Sequence, residues 1–277
     1  MKKAIIDVGS NSVRLLLDGE KKIINTQLAE KADVGGILGE DPIARTAAAI
    51  RVLKEEAEQK GARVWAFATE AVRSAKNKEE FLDAVRAFGL EIDVLPSSKE
   101  AEIGFFGAYY GTGVKATLDV GGASSELAVG DGKTLAYAHS LPIGTVRVKD
   151  HSLAFSEQME YVRKRIKEYG TVPTFDELIA IGGTSSSLVA IRDEVEPYDP
   201  KKIHMQTLTR KEIREVTDFI NATPVEKRKE IKGLHPKKIL VIPAGGAILL
   251  GIMEYLGIEK ITVSETDNLE GYLQTLQ

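Results

Sequence analysis

Two short loops in this sequence have the residue types that bind phosphate or a metal–phosphate complex. DVGS (residues 7–10) and DVGG (residues 119–122) each follow a short apolar segment and precede another one. Glycine lets backbone N–H groups approach an anion closely, and serine hydroxyls add donors. The aspartate that opens each loop suits Mg²⁺, a hard cation that prefers oxygen ligands and keeps part of its water shell. One loop of this kind is also typical of an ordinary hairpin turn. The prediction of a phosphate site therefore depends on finding two such loops in equivalent positions.

The elements around the two loops repeat. Each loop joins the first two strands of a predicted three-strand meander, and an Asp-Gly turn signal at residues 18–19 or 131–132 joins the second strand to the third. Alternating helices and strands follow each meander, which predicts parallel strands joined by helical crossovers. The repeat indicates duplicated domains that face each other across a cleft. The predicted meander strands are Ala4–Asp7, Val13–Asp18 and Lys21–Thr26, and then Ala116–Asp119, Glu126–Gly130 and Thr134–His139.

Composition narrows the class of protein. A chain of 277 residues is comfortable for two domains, and its net charge of −4 gives no sign of nucleic-acid binding, so a polyanion would need a local basic patch. The absence of cysteine excludes disulfides and thiolate chemistry and fits a cytoplasmic chain. The N-terminal apolar segment is too short for a signal-peptide core. The apolar run 239–257 is interrupted by Pro243 and glycines, which favours a buried helix over a membrane span.

Three further segments have more than one interpretation. ATEAVRSAKN (68–77) follows an apolar strand, where Arg73 would either grip phosphate or stay solvated. GGTSSS (182–187) would cap a helix or bind an anion at its N-terminus. In SSKEAE (97–102) the carboxylates would ordinarily complement the helix dipole. No GxxxxGK[ST] motif is present, and the four histidines are scattered without metal-ligand spacing.

Taken together, seven motifs occur in one order over nearly the whole chain: DVGSNSVRLL, ATEAVRSAKN, KEA, LDVGGASSEL, LPIGTVR, IGGTSSSLVAI and IPAGGAILLGIM. In this the sequence resembles the exopolyphosphatase/guanosine-pentaphosphate phosphohydrolase (Ppx/GppA) family in its short, two-domain form. The resemblance implies an α/β fold of two actin-like (ribonuclease H-like) domains flanking a cleft. Domain I would span residues 1–112, completed by the C-terminal helix 265–277, and domain II residues 113–264.

The resemblance also implies roles for individual residues. Glu100 matches the family's catalytic glutamate, the base that activates the attacking water. Asp119 and Glu126 match the acidic residues associated with the divalent cation, Mg²⁺ or a similar ion, and Asp7 holds the equivalent place in the first loop. The phosphate-contacting residues implied are Ser10, Asn11, Arg14, Arg73, Gly121, Gly122, Ser124, Ser125 and Lys238. A basic track for a long anion would use Arg14, Lys76, Lys78, Arg147 and Lys149.

The sequence departs from the family pattern beside the presumed base. Lys99 and Glu102 stand where the family has Glu and Arg, and their i, i+3 spacing predicts a local ion pair of reversed polarity. The third glycine of the second loop is Ala123. Lys238 replaces a usual arginine and lacks its bidentate fork, and Leu269 stands where an arginine is common.

The leading functional prediction is Mg²⁺-dependent hydrolysis of the terminal phosphate of inorganic polyphosphate. Removal of the 5′ γ-phosphate from guanosine pentaphosphate is a second hypothesis within the same family. A third is a non-catalytic polyphosphate or alarmone sensor, in which the altered surroundings of Glu100 have disabled hydrolysis. A fourth is an actin-like-fold kinase with an adenosine site at residues 182–187. No nucleic-acid or membrane partner is expected, and a homodimer is compatible with the sequence.

Overall fold

Two sheets of like topology form the frame of the chain, each within its own compact unit. The computed structural model describes residues 1–30, 36–152 and 154–276. One unit comprises Met1–Ile103 and Asn268–Gln277, and the other comprises Gly104–Asp267. The family resemblance predicts domain limits of 1–112 and 113–264, which differ from these units by several residues and stay a prediction.

The first unit contains a five-stranded sheet in the order β3-β2-β1-β4-β5. β1 is antiparallel to β2 and parallel to β4, and β4 is parallel to β5. The strands are β1 (Lys2–Val8), β2 (Ser12–Leu17), β3 (Glu20–Asn25), β4 (Ala62–Ala68) and β5 (Ile92–Val94). The helices are α1 (Glu40–Gln59), α2 (Glu70–Arg73), α3 (Lys78–Arg86), α4 (Ser97–Ala108), which runs into the second unit, and α11 (Asn268–Thr275) from the end of the chain.

The second unit contains six strands in the order β10-β11-β9-β6-β7-β8. Its strands are β6 (Lys115–Val120), β7 (Ser125–Gly130), β8 (Leu135–Leu141), β9 (Glu177–Ile181), β10 (Thr207–Thr209) and β11 (Lys260–Val263). Its helices are α5 (Thr145–His151), α6 (Phe155–Arg165), α7 (Gly182–Arg192), α8 (Pro200–Ile203), α9 (Arg210–Ala222) and α10 (Ile242–Leu256). Short 3₁₀ turns lie at Ile166–Tyr169, Val225–Glu230 and Pro236–Lys238.

The predicted duplication is confirmed by the strand order and by the register. From β8 to β11 the second sheet repeats the order and the strand directions of the first, and β10 is an added antiparallel edge strand. Asp7 faces Arg14 across the first hairpin, and Asp119 faces Glu126 across the second. The predicted α/β class with two sheets of the same topology is therefore correct.

Burial on both faces explains why the middle of β1, residues 4–6, is entirely apolar. Successive side chains of a strand point to opposite faces, so Ile6 packs in the cluster under α1 and α3, while Ile5 packs in the cluster that includes α11. In that second cluster the ring of Tyr272 stacks on Phe67, with 4.7 Å between centroids. The C-terminal helix thus supplies part of the core of the first unit.

The apolar run of residues 239–257 forms α10, which is buried from Ile242 to Met253 in the core of the second unit. Among the described residues, no helix is long and apolar enough to cross a membrane. The interpretation of this run as a buried helix is confirmed.

Candidate active site

Glu100 lies in the first turn of α4 and is almost fully buried, at 5% exposure. The guanidinium of Arg73 donates to Glu100 Oε2 at 2.9 Å and to the carbonyl of Leu95 at 2.7 Å. Its other terminal nitrogen donates to Glu70 Oε2 at 2.7 Å. Arg73, the candidate phosphate ligand, is therefore held between two carboxylates at the ends of β4 and β5.

Burial raises the pKa of Glu100 to about 7, because a carboxylate loses hydration when it leaves water. Arg73 opposes this shift by stabilising the charged form, whereas the charges of Asp7 and Glu70 reinforce it. A carboxyl group whose pKa lies near neutral pH is suited to general-base catalysis, since it is partly ionised and still basic enough to take a proton.

The first hairpin joins β1 to β2. The guanidinium of Arg14 binds the carboxylate of Asp7, with Nε 2.9 Å from Oδ2, and both side chains are largely buried. The carbonyls of Ser10 and Asn11 accept N–H groups of residues 26, 27 and 29, which fixes the loop against the chain after β3. Asp7, the candidate metal ligand, thus has a cation from its own unit beside it.

The second hairpin, between β6 and β7, carries a second acid in place of that arginine. Asp119 and Glu126 stand directly opposite each other, and Glu126 is buried with Ser140 Oγ donating to its Oε1 at 2.6 Å. Gly182, with φ of +79°, lies against Asp119: a Cβ there would be 2.4 Å from Oδ1. The carboxylate of Asp119 therefore occupies space that only glycine leaves open.

The turn of each hairpin is closed in the same way. Gly9 N–H donates to Ser12 O and Gly121 N–H to Ser124 O, both at 3.0 Å. Ser125 is fully buried, and its hydroxyl donates to Ile143 O at 2.6 Å, which anchors the second hairpin to the LPIGTVR motif. Ser125 supports the loop here, and its assignment to phosphate stays a prediction.

The LPIGTVR motif packs directly on the second loop. The carbonyls of Gly121 and Gly122 accept the N–H groups of Thr145 and Val146 at 2.9 and 2.8 Å. A Cβ on Gly144 would lie 2.3 Å from the backbone of Gly122. Close backbone approach explains the glycine of this motif and keeps the loop in one conformation.

Lys238 lies at the first turn of α7. Its Nζ donates to Gly183 O at 2.8 Å and to Ser187 Oγ at 3.0 Å. A Cβ on Gly183 would be 2.7 Å from that Nζ. The GGTSSS segment therefore starts a helix and contacts both Asp119 and Lys238, through two neighbouring glycines.

The donor set of the second hairpin fits a divalent cation. Like charges directly opposite each other on a sheet destabilise it, and the equivalent place in the first hairpin holds Arg14. Among the described residues, no three acidic or histidine side chains form a group that would hold a metal. A cation here would be held by Asp119 and Glu126 with water completing its shell, an arrangement that Mg²⁺ accepts.

The predicted ion pair beside Glu100 is confirmed, with Lys99 Nζ 2.7 Å from Glu102 Oε1. Sequence reasoning missed the roles of Ser140 and Gly182, because each acts on a residue distant along the chain. It also missed Glu70, although the i, i+3 spacing of Glu70 and Arg73 on a helix predicts their ion pair. The one local signal for the close packing of Asp119 was the glycine at position 182, directly after an apolar strand. Of the expected basic track, Lys149 pairs with Asp150 at 2.6 Å.

Comparison with known proteins supports the same family. Residues 8–276 match the model of the Ppx/GppA phosphatase family. A Fusobacterium nucleatum protein named bifunctional 3-dehydroquinate synthase/phosphatase is 32% identical over 97% of this chain, which spans 46% of that relative's length. Exopolyphosphatase 2 of Mycobacterium tuberculosis is 29% identical over 99% of this chain and 98% of its own.

Among solved structures, the Aquifex aeolicus member of the Ppx/GppA family is 31% identical, with a TM-score of 0.81 over 100% of this chain and 97% of its own. The motif order, the duplicated sheets and the family match agree over almost the full length. The chain therefore belongs to the Ppx/GppA phosphatase family.

Proposed function

We propose that this protein is a phosphoanhydride hydrolase that removes the terminal phosphate of inorganic polyphosphate. The observation that carries the proposal is Glu100, a buried carboxyl group whose pKa is raised to about 7 and whose Oε2 is held by Arg73. A phosphoanhydride already has a good leaving group. Its hydrolysis needs a positioned water, a base and cations that absorb charge.

In this proposal Glu100 Oε1 takes a proton from the attacking water while Arg73 fixes the carboxyl group through Oε2. Arg73 also limits the rise of the Glu100 pKa, so that part of the population is ionised at neutral pH. In each unit the hydroxyls and N–H groups of the hairpin loop bind phosphate oxygens, from Ser10 and Asn11 in the first unit and from Gly122 and Ser124 in the second. Arg14 adds positive charge in the first unit and Lys238 in the second. Ser10 and Ser124 are largely buried, which limits the competition from bulk water.

Mg²⁺ is proposed on Asp119 and Glu126, where it would neutralise the phosphate oxygens during transfer. Asp7, which the family pattern also assigns to the metal, stays a proposed ligand in the first unit, where Arg14 balances its charge. Ser140 orients Glu126, and Gly182 leaves the room that Asp119 needs.

Polyphosphate is proposed ahead of guanosine pentaphosphate because the Mycobacterium tuberculosis relative named an exopolyphosphatase matches this chain along both whole lengths. The test is phosphate release from long-chain polyphosphate, guanosine pentaphosphate and ATP, each with and without Mg²⁺. We expect the highest kcat/KM on polyphosphate with Mg²⁺ present. Faster release from the pentaphosphate would transfer the assignment to that substrate, and transfer to an acceptor other than water would make the protein a kinase.

The assignment of the base is tested with Glu100→Gln, which should abolish turnover and leave polyphosphate binding largely intact. Glu102→Gln is the matched control, because it makes the same change half a turn along α4 on a part-exposed side chain. Activity in Glu100→Gln comparable to the control would remove Glu100 from the mechanism. Binding without turnover in the unmodified protein would instead identify a sensor.

A further inference from the structure

A strongly basic loop (residues 224–240) connects α9 to α10. It holds six Lys or Arg residues and two Glu, in a chain whose net charge is −4. Lys227, Lys229 and Lys232 are exposed. The basic loop therefore has a net positive charge, on a segment that the proposed mechanism uses only at Lys238.

The basic loop has a defined conformation. Arg228 closes it by donating to Thr223 O at 3.0 Å and to Ile239 O at 3.4 Å. Leu234 is buried in the core, and a Cβ on Gly233 would lie 2.1 Å from the carbonyl of Ala190 in α7. A loop fixed in this way presents its lysines with little loss of backbone entropy on binding.

One end of the basic loop lies beside the candidate phosphate site. Lys238, near that end, contacts Gly183, and the preceding Gly182 contacts Asp119. A linear polyanion whose terminal phosphate lies at Asp119 would contact Lys238 first. Its remaining phosphates would then contact the exposed lysines of the same loop.

We propose that the basic loop is a secondary binding surface for the distal part of a long polyphosphate chain, with Lys227, Lys229 and Lys232 as its contacts. This inference rests on the proposed function. Lys232 pairs with Glu194, but both side chains are more than 60% exposed, so the phosphate chain displaces that pair at little cost. The loop has no Phe, Tyr or Trp for stacking on bases, which favours polyphosphate over a single-stranded nucleic acid.

The test compares the Lys227→Gln/Lys229→Gln/Lys232→Gln variant with Lys133→Gln/Lys164→Gln/Lys211→Gln, which removes three other exposed lysines from the same unit. The measured quantity is the ratio of kcat/KM on long-chain polyphosphate to kcat/KM on tripolyphosphate, at low and at moderate salt. We expect the loop variant to lower this ratio about tenfold at low salt, through KM, and less at moderate salt. The control variant should keep the ratio of the unmodified protein.

An unchanged ratio in the loop variant overturns the proposal, and so does an equal fall in the control, which would mean an effect of net charge alone. Equal losses on both substrates would indicate a structural role for the lysines. If the unmodified protein hydrolyses neither substrate, the proposed function fails, and binding of fluorescent long-chain polyphosphate then tests the loop by itself. In that assay the loop variant should bind polyphosphate about tenfold more weakly than the control. Single-stranded DNA is measured beside it, and a loss of affinity for DNA alone would reassign the surface to nucleic acid.

Discussion

The charge state of Glu100 depends on a few neighbours in the same unit. Burial raises its pKa, Arg73 lowers it, and Asp7 and Glu70 raise it again. A base must be ionised to accept a proton, so the rate should rise with pH through the pKa of Glu100. In the proposed mechanism these neighbours therefore set the pH range of activity through the pKa of Glu100.

The first prediction follows from these opposite contributions. Arg73→Met should move the acid limb of kcat/KM to higher pH, because Glu100 loses the charge that favours its ionised form. Glu70→Gln should move the limb to lower pH, because a like charge is removed. The pH profile of each variant is the measurement, with Glu102→Gln as reference. Shifts of the same sign in both variants would exclude Glu100 as the titrating base.

A second prediction concerns stability. The folded pKa of Glu100 is raised above its ordinary value, so its contribution to the free energy of unfolding is greatest at low pH and is lost as pH rises through about 7. Glu100→Gln should therefore gain stability over the unmodified protein, on the order of 2 kcal/mol, between about pH 5 and about pH 8. Urea unfolding of both proteins at the two pH values measures it. A difference independent of pH would mean that the pKa of Glu100 is not raised in the folded state.

At the scale of elements, the two hairpins are copies that have acquired different charges. The same register places Arg14 opposite Asp7 in one and Glu126 opposite Asp119 in the other. The first pair joins opposite charges, whereas the second places two acidic side chains directly opposite each other, which is the oxygen-rich arrangement that a divalent cation binds. This asymmetry is the reason to propose the metal on the second hairpin.

The third prediction tests the role of Gly182 in that hairpin. Gly182→Ala should cost about 1 kcal/mol for its left-handed backbone and, in addition, should weaken Mg²⁺ binding because the new Cβ displaces Asp119. Gly257→Ala is the control, since Gly257 has a similar φ of +67° with nothing within 4 Å of the new Cβ. Mg²⁺ affinity by titration calorimetry should fall only for Gly182→Ala. An equal loss in both variants would attribute the effect to backbone strain.

Elements of more than one turn could be predicted from the sequence, because their periodicity extends over enough residues to be recognised. All six strands of the two predicted meanders are confirmed to within two residues at each end. The short elements α2, α5, α8 and β10 have only three to seven residues, which is too few for a clear period.

The site divides in the same way. The Lys99–Glu102 pair was predictable from i, i+3 spacing on a helix. The bond between Arg73 and Glu100 joins residues 27 positions apart and depends on how β4 and β5 lie side by side. Sequence motifs indicated both residues, but only the packing of the sheet gives their contact, the burial of Glu100 and its raised pKa.

For the whole molecule, each unit has its own core, and the first unit is assembled from both ends of the chain. Leu269 in α11 is fully buried with Ile5 and Phe67. The departure at position 269 thus places an apolar side chain in the core of the first unit. The only tryptophan of the chain, Trp65, packs against the same cluster and reports on that unit alone.

The last prediction uses this division. Leu269→Ala should destabilise the first unit by about 2–5 kcal/mol through a cavity, and so lower the denaturant midpoint seen by Trp65 fluorescence. Leu249 is fully buried in α10 of the second unit. Leu249→Ala should therefore leave the Trp65 midpoint unchanged and lower the midpoint of the remaining transition, which is followed by far-UV circular dichroism. If both variants shift both signals equally, the two cores unfold as one cooperative structure, and α11 stabilises the whole chain rather than the unit it completes.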